Sequence, residues 1–316
     1  MTTLSEEKVT MRDALGETLL QLSLEKESVY ILDGDLANST KVDEVAKGNS
    51  GKFLQMGIAE QNMMSVASGL ATTGIQPWAS SFAAFLSKRA IDQIQVQIAQ
   101  PGLDVKMLGG YSGLVTGLTG KTHQSLEDIA IFRSLANMVV IAPADATEVK
   151  KVIEFAHQYH GPVYIRLARD PYPVIFDENY QFELGKAVTL KEGKDVTIIS
   201  TGTQTSRSLE AAEKLKSEGI SVSVVHMPSI KPLDKDAIVK AAEATGVIVT
   251  AEEHSIYGGL GSAVAEVLVE EKPVPMLRVG IKDRNSESGP NDEMLDKYEI
   301  SPNHMVKKVK EALKKK

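Results

Sequence analysis

One carboxylate, Glu60, stands in the run FLQMGIAEQNMMSVASGLATTG (residues 53–74), where its neighbours on both sides are apolar or small. A strand-like run precedes it and a helix-like run starts at it. An acid in the first turn of a helix ordinarily complements the helix dipole, and that is the plain reading of Glu60. The flanking Ile58, Met63 and Met64 predict burial as well, which disfavours the ionised form of a carboxyl and suits it to hold a proton. His123 is the second candidate for proton chemistry. A lone histidine is usually a surface or core residue, but this one lies in a loop with Gly109, Gly110, Gly113, Gly117 and Gly120. Such a loop can approach a ligand closely. His157, His160, His226, His254 and His304 have no comparable setting and no metal-ligand spacing; they are read as structural or surface residues.

The elements that must position these groups follow from periodicity. Strands are expected at 29–32, 53–56, 76–79, 105–108, 139–142 and 163–167, and a second set at 196–200, 222–226, 247–250 and 276–279. Helices fill the gaps, among them 12–25, 60–73, 88–99, 146–158, 206–217 and 235–245. The helix at 60–73 rests on Met63, Met64, Ala67, Leu70 and Ala71 at three- and four-residue spacing, with Gly74 as its stop. Ser65, Ser68 and Gly69 leave it thin enough for another backbone to come close. Asp145 with Glu148 reads as a capping box. Phe82 and Phe85 fall in a loop-like stretch, where an aromatic pair is ordinarily core. Strands alternating with helices define an α/β protein with parallel, doubly wound sheets. The proline-punctuated stretch 171–194 interrupts the alternation once, giving domains at 1–175 and 176–316. The motif YGGLGSAVAE (257–266) has incomplete glycine spacing for a dinucleotide site, so a glycine turn entering a packed helix is expected.

Composition narrows the function classes. The 316 residues are 42% hydrophobic and 24% charged, with net charge −7 and no cysteine. That charge argues against a nucleic-acid footprint. The lack of cysteine removes disulfides, thiolate zinc sites and a thiol nucleophile. The start MTTLSEEKVT is polar, no apolar run is long enough to span a membrane, and cytoplasm is the expected location. The terminal KKVKEALKKK reads as a solvated basic helix end.

The motifs GIAEQNM (57–63), SSFAAF (80–85), GKTHQSLEDIAIFRSL (120–135), APAD (142–145) and YIRLARDP (164–171) resemble those of the transketolase family of thiamine-diphosphate enzymes. The resemblance covers nearly the whole chain and points to the smaller, C-terminal subunit of a split transketolase. It implies two doubly wound domains, a pyrimidine-binding domain followed by a transketolase C-terminal domain that supports the dimer and carries no catalytic group. Glu60 then matches the acid that hydrogen-bonds the cofactor's pyrimidine ring, with Ile58 beside it. Phe82 and Phe85 match aromatics against the aminopyrimidine face, and Lys88 replaces a third aromatic. Asp35, in LDGDLANST (32–40), would lie near the thiazolium ring. Arg12, Ser39 and Arg169 match the sugar-phosphate site, where a planar guanidinium suits a tetrahedral anion; Arg166 is expected to be structural. His123 matches the histidine at the donor and acceptor hydroxyls. Tyr111 and Thr119 stand where most relatives carry a phosphate-contacting His and a hydroxyl-reading Asp, which implies a changed sugar preference, toward a sulfonated or branched skeleton. The chain has no GDG motif with its following Asn, so Mg²⁺ and the diphosphate are expected on a larger N-terminal subunit, in a dimer of heterodimers. Within the same superfamily the alternatives are a 2-oxoacid dehydrogenase β-like and a deoxyxylulose-phosphate synthase-like subunit. The alternative of another class is a non-catalytic scaffolding subunit.

Overall fold

The computed structural model describes residues 7–316; most of the polar start, residues 1–6, lies outside the described residues. Two sheets organise the chain. The first has seven strands in the order Ser229–Lys231, Val139–Ile141, Val163–Arg166, Lys106–Gly110, Gln76–Phe82, Val29–Asp33 and Phe53–Gln55. All its pairings are parallel except that of Ser229–Lys231. That edge strand comes from the C-terminal half of the chain and closes the sheet beside Val139–Ile141. The second sheet runs Met276–Ile281, Ile248–Ser255, Val196–Ser200, Val222–His226 and Val188–Lys191, with the last strand antiparallel. A strand with helices on both faces has no solvent side, and every residue of Gln76–Phe82 is buried.

The helix that starts at Glu60 forms as expected and spans Glu60–Ala71, with Glu60, Met63, Met64 and Ala67 on its buried side. The segment after it departs from expectation. The strand read as 76–79 continues to Phe82, and Phe85 belongs to the helix Ala83–Lys88 rather than to a loop. Ala83, Ala84, Leu86 and Ser87 are all buried, so this helix lacks the polar face by which periodicity detects one. The helix expected at 88–99 is instead a short turn, Ile91–Gln93, passing into a π-helical turn, Ile94–Ala99.

Asp145 caps the helix Ala146–Gln158 by accepting from the Glu148 backbone at 2.8 Å. Its other oxygen accepts from Ile175 at 2.5 Å and Phe176 at 2.8 Å, so the same carboxylate holds the connection between the halves. Glu148 turns back to accept from the Ala144 backbone at 2.6 Å and meets buried His226 at 2.8 Å. The glycine turn of 257–266 leads into the packed helix Leu260–Glu271. Glu252 accepts from the Leu260 and Gly261 backbones at 2.7 and 2.8 Å, and burial pushes its carboxyl up to about 7. A side chain at Gly259 would put a carbon 2.0 Å from Glu252 Oε2; the glycine serves packing.

Candidate active site

The parallel strands of the first sheet deliver their carboxyl ends to one region, where α/β sheets open a ligand crevice. Val29–Asp33 is followed by Asp35, Phe53–Gln55 by Glu60, Gln76–Phe82 by Phe85, Lys106–Gly110 by Tyr111, and Val163–Arg166 by Arg169.

Glu60 is fully buried. Its Oε1 accepts from the Ser81 hydroxyl at 2.9 Å and its Oε2 from Arg89 Nη1 at 2.5 Å. Gly34 packs against it, since a Cβ there would lie 3.5 Å from Oε1. The surroundings are less apolar than expected: Met63 and Met64 are buried, but Ile58 is 72% exposed and does not cover the acid. The strand ends at Gln55 and Gly57 turns with φ +72°, which carries Ile58 outward.

Phe82 and Phe85 stack with ring centroids 5.7 Å apart. Phe82 also stacks on Tyr111, at 4.1 Å and 19° between planes. His123 stands edge-on to both phenylalanines, at 6.0 and 5.4 Å, and its Nδ1 shares a 2.9 Å hydrogen bond with the Thr122 hydroxyl. Arg12 donates to the Ser39 carbonyl at 3.0 Å and to the Tyr111 hydroxyl at 3.3 Å. The Arg169 guanidinium lies 5.4 Å from the Tyr111 ring centroid. Glu60, Phe82, Phe85, Tyr111, His123, Arg12, Ser39 and Arg169 are thus drawn into one continuous cluster, with Tyr111 at its centre.

Three sequence-predicted residues stand differently. Lys88 pairs with Glu127 at 2.9 Å, and Arg89 rather than Lys88 lies over Phe85, 4.5 Å from its centroid. Asp35 is exposed on a turn with φ +67°. Thr119 is exposed, and its hydroxyl meets that of Thr116 at 2.6 Å.

Arg89, Ser81 and Glu253 carry parts of the site that sequence reasoning missed. Arg89 follows Lys88 in an unremarkable SKRA tetrapeptide, and Ser81 sits inside a quoted motif without a stated role. Glu253 comes from the second sheet. Its Oε1 accepts from the Leu114 and Val115 backbones at 2.9 and 2.8 Å, and a Cβ at Gly113 would approach that oxygen to 2.4 Å. Oε2 takes Arg207 at 2.6 Å and the Thr203 hydroxyl at 3.0 Å. Burial opposes the charged form of Glu253, yet Arg207 beside it holds the carboxyl below its usual range.

A buried carboxyl for a ring nitrogen, with an aromatic pair for a ring face, fits the aminopyrimidine half of thiamine diphosphate. A flat ring entering there has to share Glu60 with Arg89. Arg12 Nε and Arg169 Nε are buried with no hydrogen-bond partner among the described residues, and two such donors on one cluster fit an anion. Among the described residues, no group of three or more His, Cys, Asp or Glu side chains could hold a metal ion.

Fold and site together define an α/β protein of the thiamine-diphosphate-binding type. Residues 7–174 match the family model for the transketolase pyrimidine binding domain, and residues 185–305 match that for the transketolase C-terminal domain. A transketolase C-terminal section from Methanocaldococcus jannaschii is 43% identical over 96% of this chain and 96% of its own length. The 6-deoxy-6-sulfo-D-fructose transketolase subunit SqwH of Clostridium sp. is 40% identical over 97% and 95%. A solved split gene transketolase, described as an inactive β4 tetramer, superimposes with TM-score 0.89 at 44% identity, covering 98% of this chain and all of that one. The chain belongs to the transketolase family, as the C-terminal small subunit of the split form.

Proposed function

We propose that this chain, with a larger subunit, forms a transketolase moving a two-carbon ketol unit from a ketose to an aldose phosphate, in the cytoplasm, as a dimer of heterodimers. The observation that carries this reading is the convergence of Glu60, Phe82, Phe85 and His123 with the Arg12–Tyr111–Arg169 group at one set of strand ends. When bound, thiamine diphosphate supplies the nucleophilic carbon that accepts the two-carbon unit. The residues of this chain hold and tune what surrounds that carbon. Glu60 is placed to hydrogen-bond the pyrimidine ring nitrogen. The Phe82–Phe85 pair fixes the plane of the ring. His123 lies within the ring cluster, where it can give and take the proton of a substrate hydroxyl. Arg12 and Arg169 orient a terminal anion.

The diphosphate and Mg²⁺ fall to the larger subunit, because this sequence has no GDG motif and Mg²⁺ needs an oxygen octahedron shared with the diphosphate. The isolated chain with thiamine diphosphate and Mg²⁺ is expected to be inactive, and to gain ketol transfer on mixing with a larger subunit carrying GDG. Robust turnover by the isolated chain would overturn the reading. The solved relative described as an inactive β4 tetramer is in keeping with the expected result.

Tyr111 and Thr119 bear on the sugar. Tyr111 can donate a hydrogen bond but is no cation, and Thr119 offers a neutral hydroxyl in place of an ionised acceptor. We infer a preference for a non-standard ketose, sulfonated or branched, and the name of the Clostridium relative supports the sulfonated case. A panel of phosphorylated, sulfonated and branched donors tests this on the reconstituted enzyme and on a Tyr111→His/Thr119→Asp variant. The double variant should shift kcat/KM toward xylulose and fructose phosphates by roughly tenfold or more, the scale of a changed polar contact. Equal preference for those phosphates in both enzymes would remove the inference.

A further inference from the structure

The loop that carries Thr119 and His123 does not rest on the pyrimidine domain alone. Glu253 holds its start through the Leu114 and Val115 backbones. Gln124, just past His123, donates to the Leu114 carbonyl at 2.9 Å and to the Glu287 carbonyl at 3.2 Å. A Cβ at Gly120 would come within 2.5 Å of the Ser288 hydroxyl. Between these points lies a more specific tie. The Gly117 backbone donates to Asn291 Oδ1 at 3.0 Å, and Asn291 Nδ2 donates to Asp170 Oδ2. The other oxygen of Asp170 accepts from Arg169 Nη1 at 2.8 Å. Gly117 has φ +68°, and a Cβ there would sit 3.4 Å from Arg169 Nη1, so loop backbone and guanidinium are in direct apposition.

An asparagine suits this link for a reason of hydrogen-bond chemistry. One end must accept from an amide N–H while the other donates to a carboxylate. Aspartate would set two carboxylates against each other. Alanine would leave Asp170 and the Gly117 N–H without this partner.

We propose that Asn291, contributed by the C-terminal domain, is a positioning residue for recognition of the substrate's terminal anion. Through Asp170 it fixes the Arg169 guanidinium relative to the loop bearing Thr119 and His123, so that anion contact and hydroxyl contact keep one spacing. The C-terminal domain thereby takes part in selecting the sugar. This inference rests on the reading of Arg169 as an anion contact.

The test uses the reconstituted enzyme with two ketose donors, xylulose 5-phosphate and the uncharged erythrulose, for wild type, Asn291→Asp, Asn291→Ala, Asp170→Asn/Asn291→Asp and Arg169→Ala. The expected result is a roughly tenfold or greater fall in kcat/KM for the phosphorylated donor in both Asn291 single variants, carried by KM, with erythrulose turnover kept, as for a lost hydrogen bond to a charged group. The Asp170→Asn/Asn291→Asp exchange should restore the preference. In it the amide introduced at position 170 donates to the carboxylate introduced at position 291 and accepts from Arg169. That carboxylate in turn accepts from Gly117, so the chain of bonds is rebuilt with amide and carboxylate exchanged. An equal loss on both donors would mark Asn291 as a general structural residue and overturn the proposal. If Arg169→Ala abolishes the phosphate preference while both Asn291 single variants keep it, the proposal fails and the anion-site reading stands. If Arg169→Ala keeps the preference, the anion-site reading fails and the proposal falls with it.

Discussion

Glu60→Gln should give a reconstituted enzyme that folds, assembles and binds cofactor but turns over on the order of 10² or more times slower, the scale of a lost acid–base group. The local geometry separates shape from proton transfer. Glu60 Oε2 accepts from Arg89 and Oε1 from Ser81. A glutamine placed with its oxygen toward Arg89 keeps that bond, and its amide can donate to the Ser81 hydroxyl, which is free to turn its own hydrogen elsewhere. The amide can still donate a hydrogen bond to a ring nitrogen, but it cannot hand over a proton. Deuterium exchange at the thiazolium carbon of bound cofactor is the direct measurement, with cofactor affinity and thermal midpoint as companions. An exchange rate equal to that of wild type would reduce Glu60 to an acid that merely complements the helix Glu60–Ala71.

What can be read from sequence depends on whether the physical signal is local. Met63, Met64 and Ala67 mark the helix behind Glu60 because they repeat on one face, and strands such as Val196–Ser200 and Val222–His226 appear as short β-rich runs. The helix Ala83–Lys88 stays hidden because both of its sides are packed. Ile58 misleads because apolar character implies burial only statistically, and a turn at Gly57 points it outward. Arg89 escapes notice because an arginine beside a lysine looks like a solvated pair; only the fold brings it 29 residues back in sequence to Glu60. Glu253 lies furthest from reach. It sits in a buried EEH run of the second sheet and meets Leu114 from 139 positions away, a contact that no periodicity encodes. The motifs of resemblance locate the residues around Tyr111, but they ascribe no part to the C-terminal domain, whose Glu253, Ser288 and Asn291 border the loop.

Arg166→Met should destabilise the chain by about 3–5 kcal/mol, the cost of leaving a buried charge without its partner, read as a fall in urea midpoint at fixed protein concentration. Arg166 and Asp128 are both buried and meet at 2.8 Å. Tyr164 donates to the same carboxylate at 2.7 Å, and Arg166 also donates to the Ser125 and Glu253 carbonyls at 3.2 and 2.9 Å. The pair therefore joins the strand Val163–Arg166 to the helix Asp128–Ser134 and to the second sheet. Burial opposes the ionised form of Asp128, but Arg166 beside it outweighs that and holds the carboxyl below its usual range. A depressed native pKa contributes stability above the unfolded value of 3.8 and loses it as pH falls through the native one. The gap between wild type and Arg166→Met should accordingly be full where Asp128 is ionised in both, and should narrow on acidification, first as the variant's buried, unpaired Asp128 takes up a proton above the unfolded value and then until the wild-type carboxyl titrates below it. Arg166→Met/Asp128→Asn should recover most of the loss, since the uncompensated charge is gone and the amide carbonyl introduced at position 128 still accepts from Tyr164. A double variant as unstable as the single one would show that the hydrogen bonds from Arg166 to Ser125 and Glu253, rather than the buried ion pair, hold the two halves of the chain together.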